Sequence, residues 1–291
     1  MFHNMQKQRF RNLDILTFKK VSSIFAWNYK TSFHGSWMEF EDIRTYELWD
    51  DVKNIDWLST AKQDKVFIKK YQEERELPSM FLFNLWGSMQ FWFWARTKID
   101  TAYEAFLLLA LSSIKNWDSV GGIFYNDEKF DYLEWRKWQL NLWKMIKKLE
   151  NFKENNIDTP ANLAYSLKFL FSKKIKNNII FIFTDELEID NSVHLKALCA
   201  KNDVILIHVS DSFENNLSKK WEISFASANR FFTLNSSNGF LKSKYLDSRK
   251  DSISKLRKDF MVSWGSFVSL DDTSDIFKVF YNFFKLRQKA Y

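Results

Sequence analysis

From residue 79 onward the chain alternates short apolar runs with amphipathic segments, and this alternation is the strongest constraint on its fold. Runs at 80–83, 120–125, 179–183 and 204–209 are almost continuously apolar, and 267–270 is a late fifth. Strands buried on both faces read this way, whereas half-exposed strands alternate with a period of two. Between the runs, apolar residues recur at helical spacing. In 98–114, Ala102, Ala105, Phe106, Leu109 and Ile114 share one stripe. Segments 134–149, 163–171, 192–200 and 275–286 behave similarly, and 242–258 is a weaker, charged candidate. The pattern predicts an α/β fold with a mostly parallel central sheet and helices on both faces. Residues 1–78 differ. One helical stretch, 13–25, precedes a polar, aromatic-rich segment of no clear period. The expected division is therefore an N-terminal segment, 1–78, and an α/β domain, 79–291.

Several function classes find no support. The chain carries no P-loop, no G-x-G-x-x-G and no G-x-S-x-G. His3, His34, His194 and His208 lack metal-ligand spacing with one another or with cysteine, and His208, inside an apolar run, reads as a satisfied core histidine. No nucleophile–base pair emerges, so an enzyme is not expected. The single cysteine, Cys199, cannot form an internal disulfide and suits a reducing compartment, which makes a cytoplasmic location the expectation. The most apolar stretch, 80–95, is interrupted by Asn84, Gly87, Ser88 and Gln90, and is too short and polar for a membrane span. The net charge of +7 comes from Lys and Arg mixed with Asp and Glu, as on a solvated exterior. Nucleic-acid binding is the rival class, since Lys147-Lys148, Lys173-Lys174 and many aromatics are compatible with it. The aromatics fall mostly on core periodicities, however, and stacking platforms need them exposed.

A long ordered pattern occupies residues 34–77. It comprises Gly35, Glu39-Phe40, Arg44, Tyr46, Asp50-Asp51-Val52, Ile55-Asp56-Trp57 and Glu73-Glu74-Arg75. This pattern, with the element lengths that follow it, resembles the bacterial domain of unknown function 58 family over roughly residues 10–290. The resemblance implies a von Willebrand factor type A-like domain acting as a protein–protein interaction or adaptor module. It further implies a MoxR-type AAA+ ATPase as partner. The residues themselves have a simpler reading: carboxylates and guanidinium groups at short range form bidentate pairs that order a segment lacking regular ladders.

The resemblance also implies a metal-ion-dependent adhesion site holding Mg²⁺ or Mn²⁺ through Asp-x-Ser-x-Ser, a later Thr and a later Asp. In α/β sheets, ligands bind outside the carboxyl ends of the strands, so the loops at 84–88, 184–186 and 210–211 are where such a site belongs. Here the first loop reads Asn84-Leu85-Trp86-Gly87-Ser88. The first carboxylate is an amide, the first serine is Trp86, and only Ser88 remains. Thr159 is the nearest hydroxyl to the threonine position, although the helix pattern of Leu163 and Leu167 places Ala161 there instead, and Asp185 matches the last carboxylate. A hard cation with one carboxylate and a few neutral oxygens is held weakly. The expected site is degenerate, with no cofactor required and at most a weakly held Mg²⁺ or Mn²⁺. The alternative is a metal-free hydrogen-bonded network of Asn84, Ser88 and Asp185.

The chain has 13 Trp and 6 Gly, where roughly 20 Gly would be usual at about 7%. Trp37, Trp49 and Trp92, with Trp27 and Trp94, fall where the related pattern carries Gly. Turn glycines often adopt positive φ, which is costly for a bulky side chain. A genetic code that reads UGA as Gly, translated as Trp, produces this excess and this deficit together. Divergence to surface tryptophans is the alternative.

Overall fold

A computed structural model describes residues 43–46, 55, 57–61, 65–69, 76–85, 87–90, 96–125, 130–137, 139–154, 163–187, 189, 193–216, 222–227, 230–235, 239–263 and 265–290. The helix expected at 13–25, the signature residues Gly35, Glu39, Phe40, Asp50, Asp51, Asp56, Glu73, Glu74 and Arg75, and Thr159 lie outside the described residues. So do Trp27, Trp37, Trp49, Trp86, Trp92 and Trp94.

Within the N-terminal segment, β1 (Ile43–Thr45) carries Arg44. A short helix, α1 (Trp57–Thr60), follows, and β2 (Phe67–Lys69) pairs antiparallel with β1. The segment was expected to lack a regular ladder, so this pairing is a correction. Trp57 is exposed, and the Tyr46 amide donates to the Val66 carbonyl at 2.8 Å, extending the pairing by one bond.

The α/β domain is built on a six-stranded sheet. Its elements are β3 (Ser79–Asn84), α2 (Lys98–Lys115), β4 (Val120–Tyr125), β5 (Phe130–Arg136), α3 (Gln139–Glu154), α4 (Leu163–Ser172), β6 (Ile179–Thr184), α5 (Val193–Cys199), β7 (Asp203–Ser210), α6 (Ser212–Asn216), β8 (Glu222–Ser227), β9 (Arg230–Asn235), α7 (Gly239–Val262), β10 (Ser266–Asp271) and α8 (Ile276–Ala290). The sheet order is β10-β7-β6-β3-β4-β5, parallel throughout except for the antiparallel edge strand β5. This is the expected α/β architecture, a mostly parallel sheet with helices on both faces. The five expected strands match β3, β4, β6, β7 and β10 to within a residue at each end. Two features differ. Residues 134–136 belong to β5 rather than to a helix, which begins only at Gln139. A separate hairpin, β8–β9, was not anticipated.

The two faces of the sheet follow from the alternation of side chains along each strand. Phe81, Phe83, Phe124, Phe181, Phe183, Ile205 and Ile207 face α2, α3 and α8. Met80, Leu82, Ile123, Ile180, Ile182 and Leu206 face α4, α5 and α7. On the first face, Phe83 stacks on Phe183 at 4.7 Å and on Phe124 at 5.4 Å, and Phe81 stacks on Phe181 at 5.1 Å. Phe106 of α2 stands edge-on to both Phe81 and Phe83 at 5.1 Å, the favoured quadrupole geometry. Helix α2 packs on this face flanked by α3 and α8, and its residues 98–113 are all buried. The single stripe expected from sequence understates this. Gly121 of β4 sits where the β4–β5 register shifts. A Cβ there would meet the Leu133 carbonyl oxygen at 2.9 Å, closer than any real side chain tolerates.

Helix α2 ends in Asn116 and then Trp117, which has φ of 65° and is 75% exposed. This is the left-handed position after a helix, where glycine is favoured. A bulky, exposed tryptophan gains no packing there to offset the strain, and Trp117 joins the tryptophans in glycine-like places. Trp117→Gly should raise stability by about 1 kcal/mol in denaturant titration. Intact mass of the natively expressed protein checks the cause. A mass with every tryptophan as written would end the code hypothesis.

Candidate functional site

The carboxyl ends of the parallel strands meet at one edge of the sheet. Asn84 ends β3, Thr184 ends β6, and Ser210 and Asp271 end β7 and β10. Thr184 pairs with His208 and Asp271 with Ser210 in the register, so these ends lie level. Phe83 pairs with Phe183 across adjacent β3 and β6, which brings Asn84 and Asp185 to the same edge.

Helix α2 delivers a cation to this edge. Thr97 caps the helix: its hydroxyl accepts from the Asp100 amide at 3.1 Å, while Asp100 Oδ2 accepts from the Thr97 amide at 3.0 Å. This reciprocal box fixes the first turn. Lys98, the first residue of the helix, is thereby aimed across the edge. Its Nζ donates to Asp185 Oδ2 at 3.1 Å and contacts Glu214 Oε1 at 2.7 Å. The Lys98 and Asp185 side chains are each 5% exposed. A positive charge at a helix N-terminus opposes the macrodipole, so the two carboxylates must compensate for both position and burial. They do. Burial pulls the Lys98 pKa down, but the carboxylates of Asp185 and Glu214 more than reverse this, and the ammonium stays charged.

The chain of contacts continues outward. Arg249 of α7 donates to Glu214 Oε2 at 2.5 Å and to Asn215 Oδ1 at 3.2 Å. Asn215 Nδ2 donates to Ser210 Oγ at 3.1 Å, and Ser210 Oγ donates to the Leu270 carbonyl at 3.3 Å. Asp211 Oδ1 accepts from the Phe213 amide at 2.7 Å, and Asp272 Oδ1 accepts from the Ser212 amide at 2.7 Å. On the other side, Asn84 Nδ2 donates to Thr184 Oγ1 at 3.2 Å and to Glu186 Oε1 at 3.0 Å. Burial, reinforced by the Asp185 carboxylate, pushes the Glu186 carboxyl up to about 8. Tyr125, fully buried beside this group, is likewise pushed well above the usual phenol range, first by burial and then by Glu186.

The expected site residues are thus partly assembled. Asn84 and Asp185 share the edge, although they bond to different partners. Ser88 lies in a 3₁₀ turn (Gly87–Gln90), and its buried hydroxyl has no protein partner, so it stands outside the network once expected to include it. The residues do not fit the divalent ion the resemblance implies. The amide of Asn84 is turned nitrogen-first toward Thr184 and Glu186, and Asp185 is committed to Lys98. No cluster of three or more metal-ligating side chains exists among the described residues. Lys98, Glu214 and Arg249 were not anticipated, because each comes from a distant part of the chain and none carries a local motif.

Two remaining candidates resolve simply. Cys199 is buried, and burial pushes its thiol up to about 12, far from a reactive thiolate. His208 is fully buried as expected, but it is not satisfied: neither ring nitrogen has a protein partner, and the ring stacks near Phe267 at 6.2 Å. Burial, aided by Arg249, lowers its pKa from 6.5 to about 4. A depressed histidine pKa means the folded state resists protonation. This contribution to stability is intact above pH 6.5 and is lost as pH falls toward 4. His208→Leu should therefore stabilise the protein by about 1–3 kcal/mol at pH 7. It should also flatten the fall in Tm between pH 6.5 and 4. An unchanged acid limb would contradict this assignment.

The family model described as "Protein of unknown function DUF58" matches residues 42–252. Uncharacterized proteins of Mycobacterium tuberculosis and Mycobacterium bovis are 20% identical over 202 residues, which is 69% of this chain. The chain spans 64% of the length of these relatives. Among solved structures, the conserved hypothetical protein BatB of Bacteroides thetaiotaomicron aligns with a TM-score of 0.43 at 12% identity, covering 73% of this chain and 99% of its own. The SpRpn10 VWA domain aligns with a TM-score of 0.38 at 11% identity, covering 72% and 95%. At these identities and scores neither structure informs the chemistry of this chain. The family match covers most of the chain, and the chain belongs to the family of proteins of unknown function DUF58.

Proposed function

We propose that this chain is a protein-interaction module, not an enzyme, and that it works as the partner of a MoxR-type AAA+ ATPase. One observation carries the reading. The carboxyl edge, where α/β domains present their ligand-binding loops, is tied together through Lys98, Asp185, Glu214 and Arg249 into a fixed surface. Its charged groups are engaged with one another rather than poised over a substrate. Loops positioned by a sheet scaffold suit recognition of another molecule. The contact face would comprise the loop after Asn84, residues 184–187, 210–216 and 271–275. Any ATP chemistry would reside in the partner.

Affinity capture from native extract, under conditions that retain weak complexes, should recover an AAA+ ATPase identifiable by mass spectrometry. Leu187→Arg, placed in the loop after β6, should lower the recovery at least tenfold without changing Tm. Failure of the wild type to recover any AAA+ ATPase would overturn the pairing.

A further inference from the structure

We propose that the Lys98 ammonium takes the place of the divalent cation at this edge, as a cation tethered within the chain that sets the loops without metal. This inference rests on the contacts of Lys98 and is independent of the ATPase pairing.

Three observations support it. First, the position is that of a shared cation: Lys98 Nζ sits between Asp185 Oδ2, at 3.1 Å, and Glu214 Oε1, at 2.7 Å. It joins the loop after β6 to the helix after β7. Second, the site is closed. The Lys98 and Asp185 side chains are each 5% exposed and that of Glu214 is 12% exposed, so a hydrated ion would have to displace the ammonium to enter. Third, a coordinating oxygen remains unused at the site: Asp185 Oδ1 is buried with no protein partner. The two carboxylate oxygens flanking Lys98 lie no further apart than its two contacts together, about 6 Å. A calcium ion bridging two oxygens at 2.3–2.6 Å spans roughly 5 Å, so modest closure would suffice. With Lys98 present the edge has its counter-charge. With Lys98 removed, Asp185 loses its ammonium partner and Glu214 keeps only Arg249.

The replacement can be read by reversing it. Lys98→Ala should create a divalent-cation site in the space the side chain vacates. In 5 mM CaCl₂ or MnCl₂ the variant should gain about 5 °C in Tm over its value in EDTA. The wild type should shift by less than about 1 °C. The gain should vanish in the Lys98→Ala/Asp185→Asn double variant, whereas a general salt effect would persist there. Mn²⁺ titration followed by electron paramagnetic resonance should give no stoichiometric site in the wild type and one site in Lys98→Ala. A variant that folds only when calcium is present would also support the proposal. A folded Lys98→Ala with no metal response would overturn it. So would a stoichiometric Mn²⁺ site in the wild type that Asp185→Asn abolishes, and this second measurement decides the matter even if the variant fails to fold.

Discussion

The functional edge depends on one buried contact set, the Lys98 ammonium between Asp185 and Glu214. A charge taken out of water loses several kcal/mol of hydration, and only close, oriented counter-charges offset that loss. Removing one member of such a set costs about 3–5 kcal/mol, because the others are left charged and dry. The contacts are therefore better understood as fixing geometry than as adding net stability. They hold the end of β6, the start of α2 and the short helix α6 at one spacing. Arg249 extends the same logic to α7, and Asn215 and Ser210 carry it to β10.

Beneath the edge, the aromatic layer makes that geometry possible. Phe106 stands edge-on to the stacked rings of β3, and those rings continue onto β4 and β6. This anchors α2 along its length, so that its first turn, squared by the Thr97–Asp100 capping box, cannot drift relative to the strand ends. A long side chain such as lysine loses close to 2 kcal/mol of rotational freedom when fixed. A preset helix terminus keeps the further cost of aiming it small.

Much of this was legible in the sequence. The apolar runs marked all five parallel strands because burial on both faces leaves no polar alternation to confuse the reading. Edge strand β5 escaped notice for the opposite reason: its residues are mostly exposed or half-buried, and its last three resemble a helix start. The hairpin β8–β9 lies outside the parallel pattern and carries no Gly-containing turn pair. At the site, Asp185 was found from its place just after a buried strand, and Asn84 from the loop it opens. Lys98 could not be found this way. It is 87 residues from Asp185 in sequence, and only the packing of α2 across the sheet brings it there. One signal was available: a lysine at the first position of a helix with a long apolar middle, where the dipole disfavours it.

A double-mutant cycle on Lys98→Met and Asp185→Asn, measured by denaturant unfolding in EDTA, tests the central claim most directly. The account predicts a coupling of at least about 1.5 kcal/mol, because each residue compensates the other's burial. Additivity within about 0.5 kcal/mol would show that the two charges do not sustain each other, and the tethered cation would then have no role in setting the edge.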